Sequence, residues 1–278
     1  MEKFFNVRGL DIYVKMLGAG TPLVFLHGGP GGEHRYFLPH LEELANTFQL
    51  IFYDQRGCGQ SQEPEDKDTY TMDEEVETLE ALRAELGIEK LNLVGESWGS
   101  MLGLLYAAKY PKKADKLFLT AAVGATKDGY LGFGKELENR LTLEDKHLLD
   151  MMVEKLNNKE IDVQEIFSII DPYYVYSREN LSKKTATKSN EAVNAILGND
   201  IGLNYDLTDR LERLKEIPIM VAQGEHDINT PAMLQDLLLQ YIPHAQLEVI
   251  SECGHWTVIE QPDIMMQKIR NFFGRCSQ

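Results

Sequence analysis

The stretch Leu93-Val94-Gly95-Glu96-Ser97-Trp98-Gly99-Ser100 sets a single serine between two glycines, directly after a short apolar run. A G-x-S-x-G core in that setting pushes a serine hydroxyl out of a sharp strand-to-helix turn, where it can attack a carbonyl carbon. The glycines matter because side chains two positions before and after the serine would collide with neighbouring backbone in so tight a turn. Ser97 is the candidate nucleophile. A glycine-rich turn with an idle serine has the same pattern, so the assignment needs a base, an acid and an oxyanion site elsewhere in the chain.

On a parallel sheet those partners follow in the order Ser, Asp or Glu, His, each in a loop past the carboxyl end of a strand. Two segments meet that condition, Gln223-Gly224-Glu225-His226-Asp227 and Ser251-Glu252-Cys253-Gly254-His255-Trp256. Asp227 would orient the His255 imidazole, and His255 would take the Ser97 proton and return it to the leaving group. Glu225 shares the first loop, and a generic surface loop would account for either segment on its own. Position favours Asp227 and His255. His27-Gly28-Gly29-Pro30-Gly31-Gly32 supplies a loop whose backbone can approach a developing oxyanion, so the N–H groups of Gly29 and Trp98 form the candidate oxyanion hole. A phosphate loop is the rival reading of those glycines, but the G-K-[ST] ending and the G-x-G-x-x-G spacing are both missing. His27 and Arg56 read as structural residues that brace their turns.

The elements that must position these residues are visible in the hydropathy pattern. Alternation from Phe4 to Leu17 around Arg8-Gly9 predicts a hairpin. Short continuous apolar runs at Leu23–Leu26, Leu50–Tyr53, Leu91–Val94, Leu117–Leu119, Ile217–Ala222 and Gln246–Ile250 predict mostly buried parallel strands. Helical spacing is found over Met72–Leu86, Trp98–Tyr110, Pro231–Tyr241 and Gln261–Phe273. This alternation stops near Thr126 and resumes near Ile217. The intervening stretch is helical, charged and tyrosine-bearing, with one ambiguous apolar run at Ile166–Ile170. The expected organisation is a catalytic α/β domain from residues 1–125 and 208–278, with a helical module of residues 126–207 inserted after the sixth strand.

Composition narrows the function classes. The 278 residues carry 28 Lys and Arg against 44 Asp and Glu, a net charge of −16 that opposes binding to nucleic acid or anionic membrane. No apolar run approaches the roughly 20 residues that span a bilayer, and the N-terminus lacks a signal peptide's apolar segment. A soluble cytoplasmic protein is the expectation. The three cysteines, Cys58, Cys253 and Cys276, lack paired spacing and predict free thiols rather than a disulfide framework or a zinc site. The histidines form no H-E-x-x-H pair, so neither a metal nor a cofactor is expected.

Three segments, His27-Gly28-Gly29-Pro30-Gly31-Gly32, Phe52-Tyr53-Asp54-Gln55-Arg56-Gly57-Cys58-Gly59-Gln60-Ser61 and Gly95-Glu96-Ser97-Trp98-Gly99-Ser100, make the chain resemble the α/β-hydrolase superfamily, and within it the proline iminopeptidase (prolyl aminopeptidase) group. The resemblance implies an α/β-hydrolase fold with a helical cap over the site. It also implies release of an N-terminal residue, preferably proline, from small peptides, with acidic side chains holding the free amino group. Asn199-Asp200-Ile201 is similar to the segment that supplies such an acid, which makes Asp200 a candidate anchor. Glu96 stands where the family commonly has glycine and is the second candidate substrate-binding acid. Ile228 follows Asp227 where some members place an amine-binding glutamate. Tyr173, Tyr174, Tyr176 and Tyr205 are candidates to line a proline-sized pocket or to pack the module against the main domain.

Three functions fit these residues. The first is a serine aminopeptidase working through an acyl-enzyme on Ser97, and the second a carboxylesterase or lactonase with the same triad. The third is a ligand-binding receptor on this fold with little turnover. Dehalogenase and epoxide hydrolase chemistry would require aspartate at position 97. Because His255 must be neutral to act, activity is expected to fall below a pH of roughly 6 to 7.

Overall fold

The computed structural model describes residues 1–274, and Cys276 lies outside the described residues. The hairpin forms as β1 (Glu2–Val7) and β2 (Leu10–Leu17), with Arg8 and Gly9 both at positive φ in the two-residue turn. That conformation matches the right-handed twist of paired strands. Six further strands follow: β3 (Thr21–Leu26), β4 (Phe48–Tyr53), β5 (Leu91–Glu96), β6 (Ala114–Thr120), β7 (Ile219–Gly224) and β8 (Gln246–Ile250). They join one sheet in the order β1-β2-β4-β3-β5-β6-β7-β8. The hairpin runs antiparallel, and every pairing from β4 to β8 is parallel.

Apolar side chains on the two faces of the sheet build two cores. On one face, Val24, Ile51, Leu93 and Leu119 pack with α1 (Met72–Glu85) and α2 (Trp98–Lys109). Thr71 starts α1 by accepting the Glu74 N–H, and Pro111 follows the end of α2. On the other face, Phe25, Phe52, Val94 and Phe118 pack with Met265, Ile269 and Phe273. Burial on both sides explains why these strands read as continuous apolar runs rather than alternating ones.

Between β6 and β7 the chain forms α3 (Lys127–Arg140), α4 (Leu143–Asn157), α5 (Val163–Ile170) and α6 (Glu191–Asn204). The ambiguous run at Ile166–Ile170 is helical: Ile166 and Ile169, three positions apart, are buried on one face of α5. The ends of this segment are clipped together by a bridge between Thr126 and Asp206, by Lys127 N–H to the Tyr205 carbonyl (2.7 Å), and by Leu207 N–H to the Ala125 carbonyl (3.0 Å). The expected helix at Pro231–Tyr241 is α-helical only as α7 (Pro231–Leu234) and continues as a π turn over Gln235–Leu239. The chain ends with α8 (Thr257–Glu260) and α9 (Pro262–Phe273). Among the described residues, no helix is long and apolar enough to cross a membrane.

Phe52 has no exposed surface and stacks on Phe25 at 4.5 Å between ring centroids. Phe52→Ala should lower stability by about 3 to 5 kcal/mol in urea denaturation. A loss below about 1 kcal/mol would show that this core is not packed as described.

Candidate active site

The turn between β5 and α2 holds Ser97 at φ 52° and ψ −116°, a backbone region that a non-glycine residue enters only under strain. The flanking glycines have a direct steric cause. A Cβ on Gly99 would lie 2.0 Å from the Leu26 carbonyl oxygen, and one on Gly95 would lie 2.3 Å from the Gly99 oxygen. Ser97 N–H donates to the Thr120 carbonyl (3.1 Å), which ties the turn to the end of β6.

The loops after β7 and β8 bring Asp227 and His255 to this serine. His255 Nε2 lies 3.1 Å from Ser97 Oγ, and His255 Nδ1 lies 2.9 Å from Asp227 Oδ1. Asp227 also accepts from the Asn229 N–H (3.2 Å) and from Gln223 Nε2 (2.8 Å), so both of its oxygens are held. This network favours the Nδ1–H tautomer of His255 and leaves Nε2 facing the hydroxyl. Burial alone would lower the imidazolium pKa. The charge and hydrogen bond of Asp227, with help from Glu96, more than offset it, so His255 stands above its ordinary value.

Gly29 and Trp98 both line the cavity in front of Ser97. Neither N–H donates to a backbone or side-chain acceptor among the described residues. The Trp98 indole N–H donates to Gln55 Oε1 (2.8 Å), and Gln55 Nε2 donates to the His27 carbonyl (3.0 Å). His27 takes the structural place expected of it, accepting the Gln55 N–H at Nε2 (3.1 Å) with Nδ1 against the Gly28 carbonyl (3.0 Å). Arg56 braces a neighbouring turn through the carbonyl and hydroxyl of Thr69, both at 2.7 Å. Glu33, His34 and Asp54 bring metal-type donor atoms together. Those atoms are already engaged, Glu33 with Arg35, and Asp54 with His34 Nδ1 (2.8 Å) and the Gln60 N–H (2.9 Å).

The helices between β6 and β7 roof a cavity of about 470 Å³. Tyr130, Leu131, Phe133, Leu137, Phe167 and Ile170 supply its apolar upper wall. Of the four tyrosines considered from sequence, only Tyr174 lines it. The Tyr173 hydroxyl turns to Asp145, Tyr176 stacks on exposed His226, and buried Tyr205 donates to the Gly124 carbonyl. Asp200 lies elsewhere, at the start of α1. Its Oδ2 accepts the Met72 N–H at the start of α1 (2.8 Å) and its Oδ1 accepts from Asn204 (2.7 Å), away from the cavity. The unpaired N–H groups and positive end of a helix attract a carboxylate, and that attraction places Asp200. Glu96 does line the cavity, at 4% exposure, while Glu225 stays on the surface.

Sequence reasoning missed the contacts that hold His255 in place, although Tyr174 was among the residues it considered. Phe133 packs on the His255 ring at 4.7 Å and Tyr174 meets it edge-on at 5.4 Å. Arg140, at the end of α3, donates to the carbonyls of His226 (3.0 Å) and Asp227 (2.7 Å). Glu260 accepts from the N–H groups of Gly254 (2.6 Å) and Tyr176 (2.8 Å), joining the His255 loop to the inserted segment. No local motif marks these contacts, because most of them join positions far apart in the chain.

Comparison with known proteins agrees with this architecture. Residues 21–262 match the model of the alpha/beta hydrolase fold family. The chain belongs to that family. It is 31% identical to a proline iminopeptidase of Lactobacillus delbrueckii subsp. lactis, over 94% of this chain and 93% of the relative. It is 27% identical to a proline iminopeptidase of Saccharolobus solfataricus, over 98% and 91% of the two chains. An alpha/beta fold family hydrolase from Bacillus anthracis str. Sterne superposes with a TM-score of 0.81 at 20% identity, covering 98% of this chain and 99% of that one. The protein is a hydrolase of the α/β-hydrolase fold, similar in sequence to proline iminopeptidases.

Titration of the His255 ring protons by NMR, assigned by difference from His255→Gln, should give a midpoint above 6.5, and Asp227→Asn should lower it. A wild-type midpoint at or below 6.5 would show that burial outweighs the carboxylate.

Proposed function

We propose that the protein is a serine aminopeptidase that releases an N-terminal proline or similar small residue from short peptides. The observation that carries this reading is the continuous hydrogen-bond chain from Asp227 through His255 to Ser97, facing two N–H groups without partners among the described residues. In that arrangement Ser97 Oγ attacks the scissile carbonyl as its proton passes to His255 Nε2. The N–H groups of Gly29 and Trp98 receive the oxyanion, and His255 then protonates the leaving amine. Asp227 remains ionised and stabilises the imidazolium. Water, activated by the same histidine, hydrolyses the acyl-enzyme on Ser97 and restores the hydroxyl.

The peptidase assignment is supported by the relatives named proline iminopeptidase, which align along nearly the whole chain. The apolar upper wall of the cavity also suits the acyl group of a neutral ester, which favours carboxylic ester hydrolysis as a second reading.

Turnover of prolyl-arylamide should fall at least about 10⁴-fold in Ser97→Ala and about 10⁴-fold in Asp227→Asn, with the fold retained. Substantial activity in Ser97→Ala would remove the nucleophile assignment. The acid limb of kcat/KM should lie above pH 6.5, because a base with a raised pKa is fully neutral only at higher pH. A panel of aminoacyl-arylamides and short acyl arylesters separates the two readings, and turnover confined to esters would sink the peptidase.

A further inference from the structure

Three carboxyl groups reach the lining of the cavity: Glu33, Asp171 and Glu96. Two of them have cations of their own. Glu33 takes Arg35 through two nitrogens, at 2.8 and 2.5 Å, and Asp171 takes Lys184 at 2.5 Å. The remaining lining cation, Lys188, is exposed to solvent. Glu96 differs from both. It lies at the floor of the cavity, only 4% exposed, and its nearest basic atom is His255 Nε2 at 4.0 Å. The polar groups beside it are the Tyr36 hydroxyl, which has no complete hydrogen bond of its own, and the Gly28 N–H. Room for the carboxyl exists only because position 28 is glycine, since a Cβ there would lie 2.1 Å from Glu96 Oε2.

A carboxyl group removed from water without a counter-ion is costly to ionise. Burial, with the charge of Asp227 adding to it and His255 opposing, raises the Glu96 pKa to about 7. A cation arriving with the substrate would supply the missing partner. Geometry specifies where that cation must sit on the substrate. Ser97 Oγ and Glu96 Oε1 lie 3.1 and 4.0 Å from the same His255 Nε2. In an α-aminoacyl group the nitrogen and the carbonyl carbon are one carbon apart, about 2.5 Å. A carbonyl carbon on Ser97 thus carries its α-nitrogen into the neighbourhood of Glu96, whereas a cation on a longer arm would overshoot.

We propose that Glu96 is the anchor for the α-ammonium group of the acyl moiety, and that it makes the cavity selective for α-aminoacyl and cyclic α-imino-acyl substrates. This inference rests on the serine aminopeptidase reading and names its recognition element. The same contact favours catalysis as well as binding. An ionised, unpaired Glu96 beside Gly28 opposes negative charge growing at the Gly29 N–H, and pairing with ammonium removes that opposition. Acyl groups without the amine meet the carboxylate uncompensated.

The test compares prolyl-4-nitroanilide with cyclopentanecarboxyl-4-nitroanilide, which has the same ring without the nitrogen. The readout is the ratio of their kcat/KM values in wild type, Glu96→Gln and Glu96→Asp. Wild type should favour the prolyl compound. Glu96→Gln should reduce the ratio about tenfold or more, largely through a higher KM for the prolyl substrate, as expected for loss of a charged hydrogen bond. Glu96→Asp keeps a carboxylate with shorter reach and should lose a smaller factor. A wild-type preference that persists in Glu96→Gln overturns the anchor and leaves the peptidase reading intact. If Glu96→Gln does not fold, a Glu96→Asp ratio equal to that of wild type overturns the anchor in the same way. A wild type indifferent to the nitrogen overturns both.

Discussion

Backbone packed on backbone at the carboxyl edge of β3 and β5 sets every other position in the site. Gly99 rests against the Leu26 carbonyl, Gly95 against Gly99, and Gly28 against the Glu96 carboxyl. With no Cβ at these points, the start of α2 closes onto the end of β3, and Ser97 is forced into its positive-φ turn. The loop carrying Gly29 then faces the N-terminus of α2 at short range. A side chain at any of these glycines would separate the hydroxyl from the N–H groups that face the same space. Precision here comes from the absence of atoms.

The electrostatics follow from that close packing. Three ionisable groups, Glu96, Asp227 and His255, are buried together at the cavity floor. Asp227 has both oxygens held by donors, whereas Glu96 has only the Tyr36 hydroxyl and the Gly28 N–H beside it. Burial raises the Glu96 pKa to about 7, against the opposing pull of His255, the Tyr36 hydroxyl and the Gly28 N–H. Two acids in one pocket thus have different surroundings: Asp227 is pinned between donors, and Glu96 lines the cavity.

Much of this was legible in the sequence, for local reasons. Strand runs such as Leu23–Leu26 and Leu50–Tyr53 lie within the observed strands, because burial on both faces demands continuous apolar residues. Ser97, Asp227 and His255 were visible as polar residues in loops directly after such runs, and the fold brings those loops to one end of the sheet. Contacts between distant segments were not legible. Asp200 belongs to a helix whose outer face meets the start of α1, and nothing near it in sequence announces that unpaired N–H groups lie there. Arg140 and Glu260 look like ordinary helix-surface charges until the fold sets carbonyl and N–H groups in front of them. The π turn after Leu234 was equally hidden, since its apolar spacing still suits an α-helix.

The clasp of Phe133 and Tyr174 around His255 makes the roof and the chemistry mechanically inseparable. Glu260, through the N–H groups of Gly254 and Tyr176, ties the same loop to the inserted segment. Any shift of the helices over the cavity would be felt at the imidazole. The position of His255 thus depends on the segment between β6 and β7 as much as on the sheet.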